Sequence, residues 1–169
     1  MAAGSTYEPI ATANGTGSSA TVSFTSIPGT YTDLIVIGSI RSTTGTSILR
    51  YGYNSATSNY SATTLYGTGS AAGSFRTTGE SGIYGIGGSG TYVASASNTF
   101  TSFTLNVFNY ANSTTYKTSL LRTGGSANAE ANVGLWRATP TAITSISLVL
   151  DAGNFTSDST FTLYGIAAA

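Results

Sequence analysis

Residues 20–25 have the sequence ATVSFT, and residues 99–108 have the sequence TFTSFTLNVF. Apolar and polar side chains alternate in both segments; in the second, Phe103, Leu105 and Val107 alternate with hydroxyl and amide side chains. A period of two places successive side chains on opposite faces of an extended chain, which is typical of a half-buried β-strand. No window of eleven residues shows the 3.6-residue period of an amphipathic helix, so we expect one or two helical turns at most.

Eight further segments have a strand-like pattern and are separated by turns rich in Gly, Ser and Asn. The ten predicted strands span residues 20–25, 33–41, 47–53, 60–66, 82–87, 99–108, 117–123, 132–137, 143–150 and 160–166. The second of these carries apolar residues on both faces, which predicts a central strand that is covered on each side. The glycine- and serine-rich stretch 53–73 is interpreted as a long excursion from the sandwich. We predict a single domain over residues 1–169, an all-β, antiparallel, jelly-roll-like β-sandwich of about ten short strands.

The composition excludes several classes of protein. Charged residues make up 7% of the chain, six basic and six acidic residues cancel, and there is no histidine or cysteine. The chain therefore offers no imidazole base, no thiolate and no His/Cys metal site, and we expect neither enzymatic activity nor a cofactor. The scarcity of Lys and Arg argues against binding to nucleic acid or to anionic membranes. A surface with so few charges suits a protein that packs against other proteins.

Two loop motifs match ligand-binding patterns in part. Residues 85–90 (GIGGSG) match the dinucleotide pattern G-x-G-x-x-G, but the segment that follows has no helical face and no acidic residue lies between Glu80 and Glu130. We therefore interpret this motif as a turn between strands. Asp151, Asn154 and Asp158 are potential calcium ligands, yet Asp and Asn are also ordinary turn residues and the EF-hand spacing is absent. We expect no metal site there.

Residues for hydrolytic chemistry are equally sparse. Glu80 and Glu130 are the best candidates for a pair of glycosidase carboxylates, although nothing in the local sequence places them at the required separation. A serine nucleophile without histidine would need a lysine base, and the only lysine, Lys117, has no S-x-x-K motif around it. The sequence thus predicts no catalytic site.

Arginine and tyrosine are the candidate contact residues. Five of the six basic residues are arginines, which either bind a partner or pair within the same subunit. Tyrosine favours strands but is also enriched at interfaces, because its ring is apolar and its hydroxyl is polar. The segment 51–66 carries the four tyrosines that we predict to form a partner interface: Tyr51, Tyr53, Tyr60 and Tyr66. We assign Trp136, by contrast, to the core, because apolar residues occupy both faces of its strand.

Three stretches together carry a resemblance to a known group of proteins. They are residues 7–12 (YEPIAT), residues 22–34 (VSFTSIPGTYTDL), and residues 153–155 (GNF) with 159–166 (STFTLYGI). The chain resembles small β-sandwich virion proteins of tailed bacteriophages, in which an F-x-x-I-P-x-x-Y-T-D-L hairpin and a terminal S-T-F-x-L-Y-G-I strand recur. Residues 134–136 (GLW) and 143–146 (ITSI) extend the resemblance over most of the length. Within the hairpin, we expect Tyr31 to pack over the Pro28-Gly29 turn and Asp33 to accept backbone N–H bonds.

The resemblance implies a non-enzymatic structural protein in the virion and supplies no catalytic residue. Because the sequence starts at Met1 without an apparent fibre shaft, we expect a stand-alone protein that is added to a preformed lattice. The leading hypothesis is a capsid decoration, or cement, protein, assembled as a homotrimer and bound to the major capsid protein or other virion proteins. The alternative is a tail or fibre module that recognises host surface carbohydrate through tyrosines.

Overall fold

The computed structural model describes residues 6–87, 92–125 and 128–167, which form strands, turns and loops without any helix. The strands are β1 (Tyr7–Asn14), β2 (Thr21–Phe24), β3 (Asp33–Ile40), β4 (Leu49–Tyr53), β5 (Tyr60–Gly67), β6 (Ala72–Glu80), β7 (Ile83–Ile86), β8 (Thr101–Phe108), β9 (Lys117–Gly124), β10 (Ala129–Trp136), β11 (Ile146–Leu150) and β12 (Thr160–Ile166). They pair antiparallel in two sheets that pack face to face, which confirms the predicted all-β sandwich. In the described residues, no helix has the length and apolar character needed to cross a membrane.

The two sheets differ in size. The larger has eight strands in the order β1-β12-β3-β8-β9-β10-β5-β6, and the smaller has four in the order β2-β11-β4-β7. From β1 to β5 each successive strand lies in the other sheet, so the chain crosses the core repeatedly. Strands that are far apart in sequence, such as β3 and β12, therefore become direct neighbours.

All ten predicted segments contain a strand, but two strands, β1 and β6, were not predicted. Both are edge strands of the eight-stranded sheet. An edge strand pairs on one side only and tolerates proline and glycine, and β1 contains Pro9 while β6 contains Gly73 and Gly79. The interpretation of residues 53–73 as an excursion is wrong, because β5 and the start of β6 pair within the large sheet along this stretch.

The core lies between the two sheets. Alternate side chains of the large sheet, such as Val36, Leu105 and Leu163, pack towards the small sheet and are fully buried. Leu49 and Leu148 are equally buried on the facing side of the small sheet. This is the burial that the period-two pattern predicts for one face of each strand.

The prediction that β3 is covered on both faces is wrong. Leu34 and Val36 point into the core and have no exposed surface, whereas Ile37, on the opposite face of the same strand, is 47% exposed. Ile35, on that opposite face between Tyr164 and Asn106, is buried. The large sheet therefore leaves the apolar side chain of Ile37 open to solvent on an interior strand.

The first and last strands, β1 and β12, pair beside β3. The prediction that residues 22–34 form a hairpin is wrong, because β2 and β3 lie in different sheets and the chain between them crosses from one sheet to the other. Gly165 pairs with Leu34, and the ring of Tyr31 lies directly over Gly165, where an added Cβ would come within 2.5 Å of three ring carbons. Asp33 accepts a hydrogen bond from the backbone N–H of Asn109 (2.6 Å), as its predicted role requires. These contacts connect β12 and β8 to the entrance of β3.

Candidate functional site

Three of the four tyrosines of the predicted partner interface lie in the core. Tyr51 and Tyr53 are each 1% exposed and Tyr60 is 0% exposed. Tyr60 stacks on Trp136, with ring centroids 5.9 Å apart and an interplanar angle of 16°, and Tyr53 packs against Trp136 at 5.8 Å. The prediction that these three rings contact a partner is wrong, because the folded subunit already buries them. The assignment of Trp136 to the core is confirmed, since this side chain is 4% exposed.

Tyr66 differs from the other three tyrosines. It points to the same side of the large sheet as Tyr60 but is only half-buried, with its ring 6.4 Å from that of Phe75 on the neighbouring edge strand. Its involvement in partner contacts stays a prediction.

The hydroxyl groups of two of the three buried tyrosines, Tyr51 and Tyr60, have hydrogen-bond partners within the subunit, whereas the Tyr53 hydroxyl is buried without one among the described residues. The Tyr51 hydroxyl forms a hydrogen bond with Ser119 (2.9 Å), and the Tyr60 hydroxyl accepts the backbone N–H of Tyr53 (2.8 Å) and donates to its carbonyl (3.1 Å). Nearby, the amide of Asn132 donates to Thr64 (2.7 Å). Burial raises the pKa of Tyr51 and of Tyr53 well above the ordinary tyrosine value, so both remain protonated. These hydrogen bonds hold the rings of Tyr51 and Tyr60 in place within the core.

The structure does not assemble the catalytic groups that the sequence offered. Glu130 lies opposite Tyr66 on β5, and Glu80 lies opposite Tyr60, six residues away along the same strand. Six residues of extended chain span roughly 20 Å, which is at least twice the separation of glycosidase carboxylates. Glu130 is 5% exposed and accepts the backbone N–H of Gly87 at 3.3 Å. The side chain of Lys117 is also buried, which lowers its pKa, and it donates to the carbonyl of Thr115 (2.7 Å).

The two loop motifs are placed as follows. Of the G-x-G-x-x-G match, residues 85–87 belong to β7 and its end, whereas residues 88–90 lie outside the described residues. In the 151–158 loop, Asp151 accepts the backbone N–H of Ile48 (2.7 Å), and Asp158 forms an ion pair with Arg41. A hydrogen bond from Thr156 and the Arg41 guanidinium hold the pKa of Asp158 below its usual value. Among the described residues, no three His, Cys, Asp or Glu side chains are grouped so that they could hold a metal ion.

The arginines divide into two groups. Arg41 pairs with Asp158, and the Arg50 guanidinium lies over the ring of Tyr84 at 4.1 Å and donates to its hydroxyl. The other three have exposed side chains without a hydrogen bond or ion pair to any described residue; they are Arg76, Arg122 and Arg137. The sequence left partner binding and internal pairing open for arginine, and this second group is available for a partner.

All three available arginines lie on one surface, which we call the outer face. It consists of the side chains of the eight-stranded sheet that point away from the four-stranded sheet. Its three main rows, from β1 to β6, are Tyr7-Ile166-Asp33-Phe108-Thr118-Leu135-Ser61-Thr78, Pro9-Tyr164-Ile35-Asn106-Leu120-Val133-Thr63-Arg76 and Thr12-Thr162-Ile37-Thr104-Arg122-Ala131-Leu65-Ser74. Arg137 follows directly after β10, two residues beyond Leu135 of the first row.

The outer face exposes large apolar side chains. Leu65 is 61% exposed, Val133 is 55% exposed and Ile37 is 47% exposed, and all three lie in the interior of strands. Phe108 and Tyr7 are also exposed, in the first row. Single exposed apolar residues are ordinary on protein surfaces, whereas these five share one face of one sheet.

Two open hollows lie on this face. One, of about 300 Å³, is lined by Val133 and Leu135 together with Arg76 and Arg137. The other, of about 390 Å³, lies over β3, β8, β9 and β12 and includes Ile37 and Arg122 in its lining. Each hollow thus combines at least one aliphatic side chain with a guanidinium, and the second is otherwise lined mainly by hydroxyl side chains and glycine.

The sequence contained a signal for this surface. Strands β3 and β10 each carry apolar residues at consecutive positions, such as Leu34 with Ile35 and Leu135 with Trp136. This pattern is typical of a strand that is covered on both faces, either within its own domain or by another molecule.

A scan of protein-family models finds no family that matches the chain, and no curated protein matches its sequence.

Proposed function

We propose that this chain is a non-enzymatic structural protein of a tailed-bacteriophage virion, a capsid decoration protein that stabilises the head lattice. The observation that carries the proposal is the outer face, where aliphatic side chains on interior strands of the eight-stranded sheet stay open to solvent. The sequence resemblance to small phage β-sandwich proteins supplies the virion context. The absence of histidine and cysteine and the separation of Glu80 from Glu130 support a structural rather than a catalytic role.

The energetics of the outer face suit attachment to other proteins. Fully burying one aliphatic side chain contributes about 1.5–3 kcal/mol, so covering the exposed halves of Ile37, Leu65 and Val133 contributes about 1 kcal/mol each. Such a contact is modest for one subunit. A homotrimer, which we include in the proposal, would hold three such faces together and bind a lattice far more tightly than a single copy.

The copy number of the protein in purified particles of the phage that encodes it tests this proposal. Quantitative mass spectrometry against the major capsid protein should give a number in proportion to the capsid lattice. A small number of copies that fractionates with isolated tails would instead favour the alternative, a tail or fibre module that binds host carbohydrate. Absence of the chain from particles would overturn the virion role altogether.

A further inference from the structure

We infer that the outer face docks onto a protein surface that is apolar at its centre and carries carboxylates opposite Arg76, Arg122 and Arg137. The inference rests on the proposed virion role and adds to it the face that is used and the chemistry of the partner. The partner is a different protein rather than a second copy of this chain.

The distribution of charge is the first argument. The whole chain has six basic residues, and three of them lie on this one face, exposed and without a partner in the described part of the chain. Asp33 is the single acidic residue in the three rows of the face, and its carboxylate already accepts the N–H of Asn109. The outer face therefore has a net positive charge on a protein whose net charge is zero. Arginine binds carboxylates through two parallel hydrogen bonds, which makes an acidic partner surface its natural complement.

The arrangement of the apolar residues is the second argument. Arg122 on β9 and Arg76 on β6 are three strands apart, or roughly 14 Å, and Val133 and Leu65 lie on the two strands between them. Interfaces between proteins commonly have an apolar centre and a polar rim, with arginine enriched among the residues that contribute most to affinity. The outer face has this organisation across β9, β10, β5 and β6.

The size of the face fits a specific interface. Seven interstrand spacings and strands of about eight residues give a surface of roughly 34 by 26 Å, or roughly 900 Å². Each partner in a protein–protein interface of standard size buries about 800 Å². One outer face can thus supply a complete contact without help from the four-stranded sheet.

Charge also argues against a second copy as the occupant. In a symmetric dimer formed through this face, both partners would present the same surface. Three arginines and one aspartate from each subunit would then meet a surface of equal positive charge, and like charges brought together at an interface oppose binding. A homotrimer can still form through other surfaces of the sandwich.

The test is binding of the purified protein to phage particles that lack it, prepared by deleting its gene. Two double variants alter the face at exposed positions: Arg76→Gln with Arg122→Gln removes two charges, and Leu65→Ser with Val133→Ser removes two aliphatic side chains. The matched control introduces two negative charges elsewhere, by Thr21→Glu on β2 and Thr57→Glu in the loop that follows β4. Circular dichroism and the melting temperature establish that each variant is folded.

We expect each face variant to raise the dissociation constant at least tenfold, which corresponds to about 1.4 kcal/mol, and the control to bind like the parent. Raising the salt concentration should weaken the parent more steeply than the arginine variant, because screening acts on the charges that the variant lacks. If the parent binds and both face variants bind equally well, the inference is overturned while the virion role stands. Failure of the parent itself to bind overturns both.

The oligomeric state of the isolated proteins completes the test. By analytical ultracentrifugation, the parent and the two face variants should form the same assembly, because the outer face does not join copies of the chain. A face variant that dissociates the assembly would identify a second copy as the occupant and overturn the inference.

Discussion

Replacing Tyr60 by serine separates a core role from an interface role for the tyrosines of the 51–66 segment. If Tyr60 contacted a partner, the variant would lose assembly and keep its fold. In the structure, however, the ring is 0% exposed, stacks on Trp136 and lies 6.1 Å from the ring of Tyr53. We therefore expect the substitution to destabilise the isolated subunit.

The expected loss follows from two terms. Truncation of a buried aromatic side chain costs about 3–5 kcal/mol through lost burial and the cavity that remains. The Tyr60 hydroxyl also pairs with both the N–H and the carbonyl of Tyr53. The carbonyl keeps the N–H of Ala56 as a partner in the variant, whereas loss of the hydrogen bond to the buried N–H costs about 1–3 kcal/mol unless water replaces the hydroxyl. A loss of at least 3 kcal/mol is a large share of the roughly 5–15 kcal/mol that stabilises a typical domain. It should lower Tm by roughly 10 °C for a chain of this length.

Urea denaturation followed by circular dichroism and by fluorescence of Trp136, the only tryptophan, measures the effect. Tyr60→Phe retains the ring and should lose only the hydroxyl contribution. Tyr116→Ser is the matched control, because Tyr116 is 55% exposed, and it should change the free energy of unfolding by no more than about 0.5 kcal/mol. A loss below about 1 kcal/mol for Tyr60→Ser, with assembly abolished, would refute the reasoning and restore the ring to an interface.

Three further predictions concern the fold and the loops. Because burial raises the pKa of Tyr51 and Tyr53, their contribution to the free energy of unfolding is complete below the ordinary tyrosine pKa of about 10 and is lost as the pH rises above it. Tyrosinate absorbance from these rings should therefore appear only together with loss of the β-sheet circular dichroism. Ionisation of all eleven tyrosines in the folded protein would contradict this. Gly38→Ala should lower the free energy of unfolding measured in urea by about 1–3 kcal/mol, because the new Cβ would lie 2.2 Å from a ring carbon of Phe103. Adding Phe103→Leu in the same chain should recover part of this loss. An unchanged free energy of unfolding for Gly38→Ala would show instead that the ring moves freely. EDTA should shift Tm by no more than a degree or two, and a larger fall would revive the 151–158 loop as a calcium site.

Strand positions were largely predictable because burial of one face imposes a period of two. All ten predicted segments contain strands, and the two that escaped prediction are β1 and β6, the edges of the large sheet. An edge strand has a neighbour on one side only, so its sequence is less constrained by pairing and packing than that of a central strand. This weaker constraint permits Pro9 in β1 and the glycines of β6, and these residues obscure the alternation of apolar and polar side chains.

The candidate surface was less predictable, because a sequence does not show whether a strand face is covered by the same subunit or by another molecule. Leu49, Tyr51 and Tyr53 alternate along β4, and the position of Leu49 in this series already favoured burial of the two tyrosines. Composition directed attention to tyrosine as a contact residue, but an amphipathic side chain can satisfy its hydroxyl inside a core, as Tyr51 does with Ser119. The apolar residues on both faces of β3 predicted that Ile37 is covered. The structure shows that no described residue of the subunit covers it, and this could not be deduced without the order of the strands in the sheet.

A cryo-electron microscopy map of the phage particle at side-chain resolution tests the central claim most directly, since the claim is that this protein joins the virion through its outer face. The account predicts that Ile37, Leu65 and Val133 are covered by a different virion protein, with carboxylates of that protein beside Arg76 and Arg122. The outer side of the four-stranded sheet would then be left uncovered by that contact. A map in which the protein is attached through the four-stranded sheet, with Leu65 and Val133 facing solvent, would contradict it.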